Sequence, residues 1–262
     1  MRINNLENEN RHFTKRMGNF SVLEYDKDLS VNFYNAEAEY FGSKMGVHRR
    51  QLVIDMNGGN TAVVQSGAMQ WMAGSVTATS GVKGVGDFLG KALRGAVTKE
   101  SAVKPEYKGT GILVLEPTYK HIILVDVEQW GSGITIEDGM FYACDGTVRQ
   151  NLVARRTLSS AALGNEGLFN LGLSGRGIAA LESYVPEEEL ICIDLNNDEL
   201  RIDGDMAVCW SSSLQFTVEM STRSIVGSAV SGEGLVNVYR GTGRVLMSPV
   251  AATSSWSAAT TK

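Results

Sequence analysis

A glycine-x-glycine tripeptide recurs three times at equal intervals, and that spacing restricts the chain more than any other feature. Gly109-Thr110-Gly111, Gly175-Arg176-Gly177 and Gly241-Thr242-Gly243 stand 66 residues apart. Similar text follows each: Ile112-Leu113-Val114-Leu115-Glu116-Pro117, Ile178-Ala179-Ala180-Leu181-Glu182-Ser183, and Arg244-Val245-Leu246-Met247-Ser248-Pro249. The approach recurs as well, through Glu100-Ser101, Glu166-Gly167-Leu168-Phe169-Asn170 and Glu233-Gly234-Leu235-Val236-Asn237. A short motif at a fixed period in a shared apolar setting marks a repeated supersecondary unit. A unit of roughly 65 to 70 residues buries too little surface to stand alone, so three should pack as one body.

A second motif strengthens the repeat. Gly67 to Gly74 (Gly-Ala-Met-Gln-Trp-Met-Ala-Gly) corresponds to Gly139 to Gly146, and more weakly to Asp205 to Trp210, where the closing glycine is missing. Short apolar runs rich in branched residues follow (Ile122 to Val127, Ile134 to Ile136, Leu190 to Leu195, Leu214 to Val218), separated by turn signals, which predicts an all-β sandwich or barrel. The 29 glycines and four prolines fit many tight turns. The expected fold is therefore all-β, with three repeated β-sandwich units in a pseudo-threefold arrangement and few short helices.

The division runs as follows. Residues 1–46 form an accessory segment: a loose stretch to Met17, strands over Phe20–Tyr25 and Leu29–Phe33, and a helix over Ala36–Met45 capped by Asn35 and closed by Gly46. Residues 47–250 form the repeated body, at about 47–130, 131–200 and 201–250. A short amphipathic helix or turn is expected within Gly84 to Arg94, and residues 251–262 read as a flexible tail.

Chemistry is sparse. Gly90-Lys91-Ala92 imitates a phosphate loop, but Val85 replaces the first glycine and Ala92 removes the hydroxyl. Gly84-x-Gly86 lacks the remainder of a dinucleotide fingerprint. Asp194 to Asp198 resembles the start of a calcium loop, with Glu199 at the glycine position; a hairpin turning at Asn196-Asn197 explains the same residues. Ser101-x-x-Lys104 lacks the companion motifs of acyl transfer. His12, His48 and His121 share no zinc-binding spacing. Cys144, Cys192 and Cys209 read as buried free thiols in a reducing compartment. No cofactor, metal site or catalytic residue is expected; the six glycines of the tripeptides are structural positions.

A net charge of −5 argues against a surface that wraps nucleic acid. The basic groups His48-Arg49-Arg50, Lys91/Arg94, Arg149 and Arg155-Arg156 read as a scattered solvated face. No apolar run reaches the ~18 residues of a membrane span, and the first 20 residues hold no signal-peptide core. The expected location is cytoplasmic.

Residues Gly232 to Leu246, reading Gly-Glu-Gly-Leu-Val-Asn-Val-Tyr-Arg-Gly-Thr-Gly-Arg-Val-Leu, resemble the C-terminal signature of the altered-inheritance-of-mitochondria family. Gly67 to Gly74 resembles its N-terminal one. The resemblance covers Val47 to Val250. It implies a fold similar to the tryptophan RNA-binding attenuator protein, with three units per chain and a homotrimer closing a ring of nine. It implies no assigned enzymatic activity, and a mitochondrial relative implicated in inner-membrane organisation. The reading that follows is a non-enzymatic oligomeric scaffold. Its rivals are a nucleic-acid binder, by analogy with the attenuator protein, and a small-molecule-binding ring.

Overall fold

Short branched runs between glycine-rich turns make strands, and strands dominate the molecule. The computed structural model describes residues 2–79, 104–154, 156–157, 169–220 and 235–251. The first strands are β1 (Arg11–Met17), β2 (Phe20–Tyr25), β3 (Arg50–Asp55), β4 (Thr61–Val64), β5 (Met69–Gly74) and β6 (Thr77–Thr79). Next come β7 (Glu106–Lys108), β8 (Gly111–Leu115), β9 (His121–Asp126), β10 (Ile134–Ile136), β11 (Phe141–Asp145) and β12 (Arg149–Ala154). The last are β13 (Arg156–Thr157), β14 (Phe169–Ser174), β15 (Ile178–Ser183), β16 (Ile191–Asp203), β17 (Ala207–Ser211), β18 (Gln215–Met220) and β19 (Leu235–Met247). One α-helix, α1 (Ala36–Lys44), lies between β2 and β3 among the described residues. It is not long or apolar enough to cross a membrane, a statement that concerns helices alone. The expected helix at Gly84 to Arg94, the clusters Lys91/Arg94 and Arg155-Arg156, and the tail beyond Ala251 lie outside the described side chains.

Three sheets result among the described residues. The first has the order β1-β2-β3-β8-β5, and the second β6-β7-β4-β11-β15-β9. The third runs β12-β14-β10-β17-β19-β18-β13, with β16 also on β19. All pairings are antiparallel except that of β13 with β18. The run Ile122 to Val125 shows why the second sheet reads as continuous apolar sequence. Ile122 and Leu124 enter one core cluster, with Phe20, Leu52 and Leu113 of the first sheet. Ile123 and Val125 enter another, with Ile134, Leu173 and Cys209 of the third. A strand buried on both faces loses its polar alternation. A further cluster holds Trp210, Phe216 and Tyr239, whose ring centroids are each 5.1 Å apart.

Four local readings change. The stretch before Met17 is not loose, because β1 pairs with β2 from Met17↔Phe20 to Arg11↔Tyr25. Its alternation is masked by charged side chains whose guanidinium groups lie over rings: Arg11 over Tyr25 at 5.4 Å and Arg16 over Phe13 at 4.4 Å. Leu29–Phe33 is a turn rather than a strand, since the Asp28 carboxylate accepts from both the N–H and the hydroxyl of Ser30. Asn196-Asn197 is no hairpin but a bulge within β16, with Asn197 at φ +53° opposite the third tripeptide. Cys144 and Cys209 are buried as expected, but Cys192 is exposed, on a strand that borders β19 on one side only.

The front segment also joins the body. Phe20 and Val22 are fully or almost fully buried in the core between the first and second sheets.

Candidate functional site

The tripeptides fall in three different sheets, and each seats on a turn of its own. Gly109-Thr110-Gly111 leads into β8 against residues 73–76. A Cβ on Gly111 would overlap the Ala73 carbonyl oxygen, and one on Gly109 the Ser75 carbonyl oxygen. The Ser75 N–H donates to the Thr110 carbonyl at 2.8 Å, and the Met56 N–H to that of Gly111 at 3.0 Å. Here backbone touches backbone.

Gly175-Arg176-Gly177 leads into β15 against residues 145–148. A Cβ on Gly177 would stand 2.8 Å from the Cβ of Asp145. The Asp145 carboxylate accepts from the Ile178 N–H at 2.6 Å, while Thr147 Oγ1 donates to the Arg176 carbonyl at 2.8 Å. Burial pushes the Asp145 carboxyl up, and the bonds from Ile178 and Asn19 hold it partly back.

Gly241-Thr242-Gly243 lies inside β19, over residues 211–214. A Cβ on Gly243 would stand 2.8 Å from that of Ser211, whereas one on Gly241 would find nothing nearer than Leu214 Cδ2 at 3.8 Å. Ser213 Oγ donates to the Thr242 carbonyl at 2.9 Å, and the Asn197 N–H to Thr242 Oγ1 at 3.0 Å. At this tripeptide β19 changes neighbours, from β18 (Leu235 to Arg240) to β17 (Val245 to Met247).

The charged residues are tied strand to strand. Arg240 on β19 donates to Glu199 on β16 at 2.5 Å and, through both terminal nitrogens, to Glu219 on β18. Arg240 holds the Glu219 carboxyl down at about 2 against some burial, with help from Thr217 and Arg201. Arg50 is buried and paired with Glu24 at 2.6 Å, and Lys120 with Glu182 at 2.8 Å. Arg49 contacts Asp28 at 2.9 Å and donates to the Tyr119 hydroxyl, which donates in turn to Glu39. The cluster His48-Arg49-Arg50 is therefore neutralised internally. His121, on β9, is lowered to about 4 by burial and by the charges of Arg50 and His48. Burial pushes the Cys144 and Cys209 thiols up to about 12, which removes their nucleophilic form near neutral pH.

The network around Arg240 escaped sequence reading. Its signal was the register itself, since Glu199 and Arg240 are directly opposite across β16 and β19. A cleft of about 670 Å³ lies beside the first tripeptide, lined by Phe13, Arg16, Asn19, Asp55, Ser75 and Thr110.

With this geometry in view, comparison with known proteins decides the family. The model of the family described as mitochondrial biogenesis AIM24 matches residues 45–250. The chain belongs to the AIM24 family. An uncharacterised protein of Streptococcus pyogenes serotype M6 is 28% identical over 199 residues, which is 73% of this chain and 78% of that one. A crystal structure of a Streptococcus pyogenes protein has a TM-score of 0.59 at 21% identity, covering 95% of this chain and 97% of that one. That likeness gives the chain a fold shared along its length. The family match begins at residue 45, so β1, β2 and α1 precede the part that the AIM24 model covers.

Proposed function

We propose that the chain is a non-enzymatic, homo-oligomeric β scaffold that acts by presenting surface rather than by chemistry, in the cytoplasm. The observation that carries this reading is where its reactive and charged side chains go. Arg50, Lys120 and Arg240 are spent on pairs that join neighbouring strands, and two of the three thiols are buried with their ionisation suppressed. Residues committed in this way hold sheets in register; they are poor acids, bases or nucleophiles.

The scaffold is built of three similar β-sandwich units in an attenuator-like arrangement, at about 47–130, 131–200 and 201–250. Support comes from the seats of the tripeptides. The turns at 73–76, 145–148 and 211–214 lie 72 and 66 residues apart, near the 66-residue period of the tripeptides, and the first glycine of each tripeptide has positive φ. The oligomer is a homotrimer, as the family resemblance implies. It is favoured by β5, which has no charge and no proline and pairs only with β8 among the described residues. An open apolar strand edge is a template for a strand from another chain.

Native mass spectrometry of the purified protein tests this. A whole multiple of three chains with nothing added is the expected result, and a bare monomer overturns it. A second reading, a small-molecule-binding ring, is favoured by the cleft beside Thr110. It requires a fixed extra mass on the native particle, absent when the chain is denatured.

A further inference from the structure

Helix α1 is inside out. The residues it turns toward the body are Ala36, Glu39, Gly42 and Ser43, and none of its residues is fully buried. Its outward face carries Tyr40 and Phe41, flanked by Phe33, Tyr34 and Met45, the last three 91%, 94% and 82% exposed. A surface helix in water ordinarily turns its apolar stripe to the core. This one is held the other way by a specific anchor. Glu39 accepts from the Tyr119 hydroxyl and lies 3.9 Å from Arg49, which also holds Asp28 at the start of the segment. With Glu39 fixed inward, helical geometry sends Tyr40 and Phe41 outward.

The size of the face is informative. Four aromatic rings at these exposures, with Leu29 and Met45, present on the order of 800 Å². That exceeds the roughly 300–600 Å² of the largest apolar patch on a monomer, and matches the ~800 Å² each partner gives to a standard interface. Its charge is informative too. The exposed charges along the helix are Glu37 near its start and Lys44 at its end. We infer that this face pairs with the same face of a second copy across a twofold axis, the two helices antiparallel. That alignment sets Glu37 of each copy beside Lys44 of the other, as a self-complementary contact requires. An anionic lipid surface or a nucleic acid fits less well, since the exposed charges of the helix, Glu37 and Lys44, cancel and Lys27 in the adjoining turn is flanked by Asp26 and Asp28.

The inference rests on the homo-oligomeric reading above and adds a second kind of contact to it. A trimer joined through this face becomes a hexamer. The test compares native masses and sedimentation of the full chain with those of Tyr40→Ser/Phe41→Ser, whose positions are exposed and leave the core intact. The expected wild-type particle has an even number of chains, and the double variant halves it. Glu37→Lys should weaken the association about tenfold at low salt, and Glu37→Lys/Lys44→Glu should restore it. A mass that the double variant leaves unchanged overturns the inference. Three chains in both proteins would do so while leaving the scaffold reading intact; one chain in both would remove that reading as well. Binding to anionic vesicles that the double variant abolishes, without change of mass, would overturn it in favour of a lipid surface.

Discussion

Gly109-Thr110-Gly111 and Gly241-Thr242-Gly243 share the same letters, and the fold uses them in different ways. Around the first, two backbones are in contact, and any side chain at Gly111 would overlap the Ala73 carbonyl. Around the third, the space beside Gly241 is open to 3.8 Å, and what matters is conformation: φ is +120° where β19 leaves β18 for β17. One glycine is required for its lack of volume and the other for its backbone freedom. Shared letters thus serve two different seats.

The largest effect expected is from Gly111→Ala, which combines φ of +146° with backbone overlap that no rotamer relieves. It should cost about 4 kcal/mol, read from the urea midpoint, or prevent folding. Gly177→Ala, at φ +135°, meets the Cβ of Asp145 and the Cγ2 of Val148 rather than backbone, so about 3 kcal/mol is expected. Gly241→Ala should cost only about 1 kcal/mol, the penalty of a Cβ in a left-handed region with room around it. If Gly241→Ala proves as damaging as Gly111→Ala in the same urea series, the contrast drawn above is broken.

The smallest effect is electrostatic and sharpens the comparison from another side. The third tripeptide adjoins Arg240 and its pairs with Glu199 and Glu219; the first has a backbone seat. The Glu219 carboxyl is depressed to about 2 in the folded chain, against about 4.3 unfolded. Its contribution is complete above the unfolded value and is lost as pH falls through the folded one, because the unfolded chain takes up the proton first. Between pH 5 and 2.5 the wild type should lose up to about 1 kcal/mol that Arg240→Met does not lose. Amide protection, with the intrinsic pH dependence of exchange divided out, should fall around Thr242 over that range and hold around Thr110. Equal loosening at both sites would show that Arg240 does not distinguish them.

Much of this was legible from the chain. The tripeptide period, the β character and the short runs from Ile122 to Val218 were visible because glycine and branched residues act locally. Other features depended on distant partners. β1 was hidden because charged letters stood at half-buried positions, Arg11 with its guanidinium over the Tyr25 ring and Lys15 paired with Glu187. Asn196-Asn197 carries the same signal for a hairpin as for a bulge, and the choice is made by Thr242, far along the chain. The outward turn of α1 could not be read either, since Glu39 is anchored by Tyr119 on another loop. As for a site, the six glycines mark where strands are seated, and the sequence offered no sign of the Arg240 network.

β19 also sets a timetable. Strands β16, β17 and β18 all hydrogen-bond to it, and Tyr239 closes the aromatic trio with Trp210 and Phe216. On the ribosome those three strands emerge first. At ~5–20 residues per second they wait on the order of seconds, their edges open and the Trp210 ring uncovered. No strand of the first two sheets pairs with β19 among the described residues, so those sheets can form meanwhile. Each newly made chain thus passes through an interval in which its best-folded part is joined to its stickiest, and crowding of nascent copies matters most then.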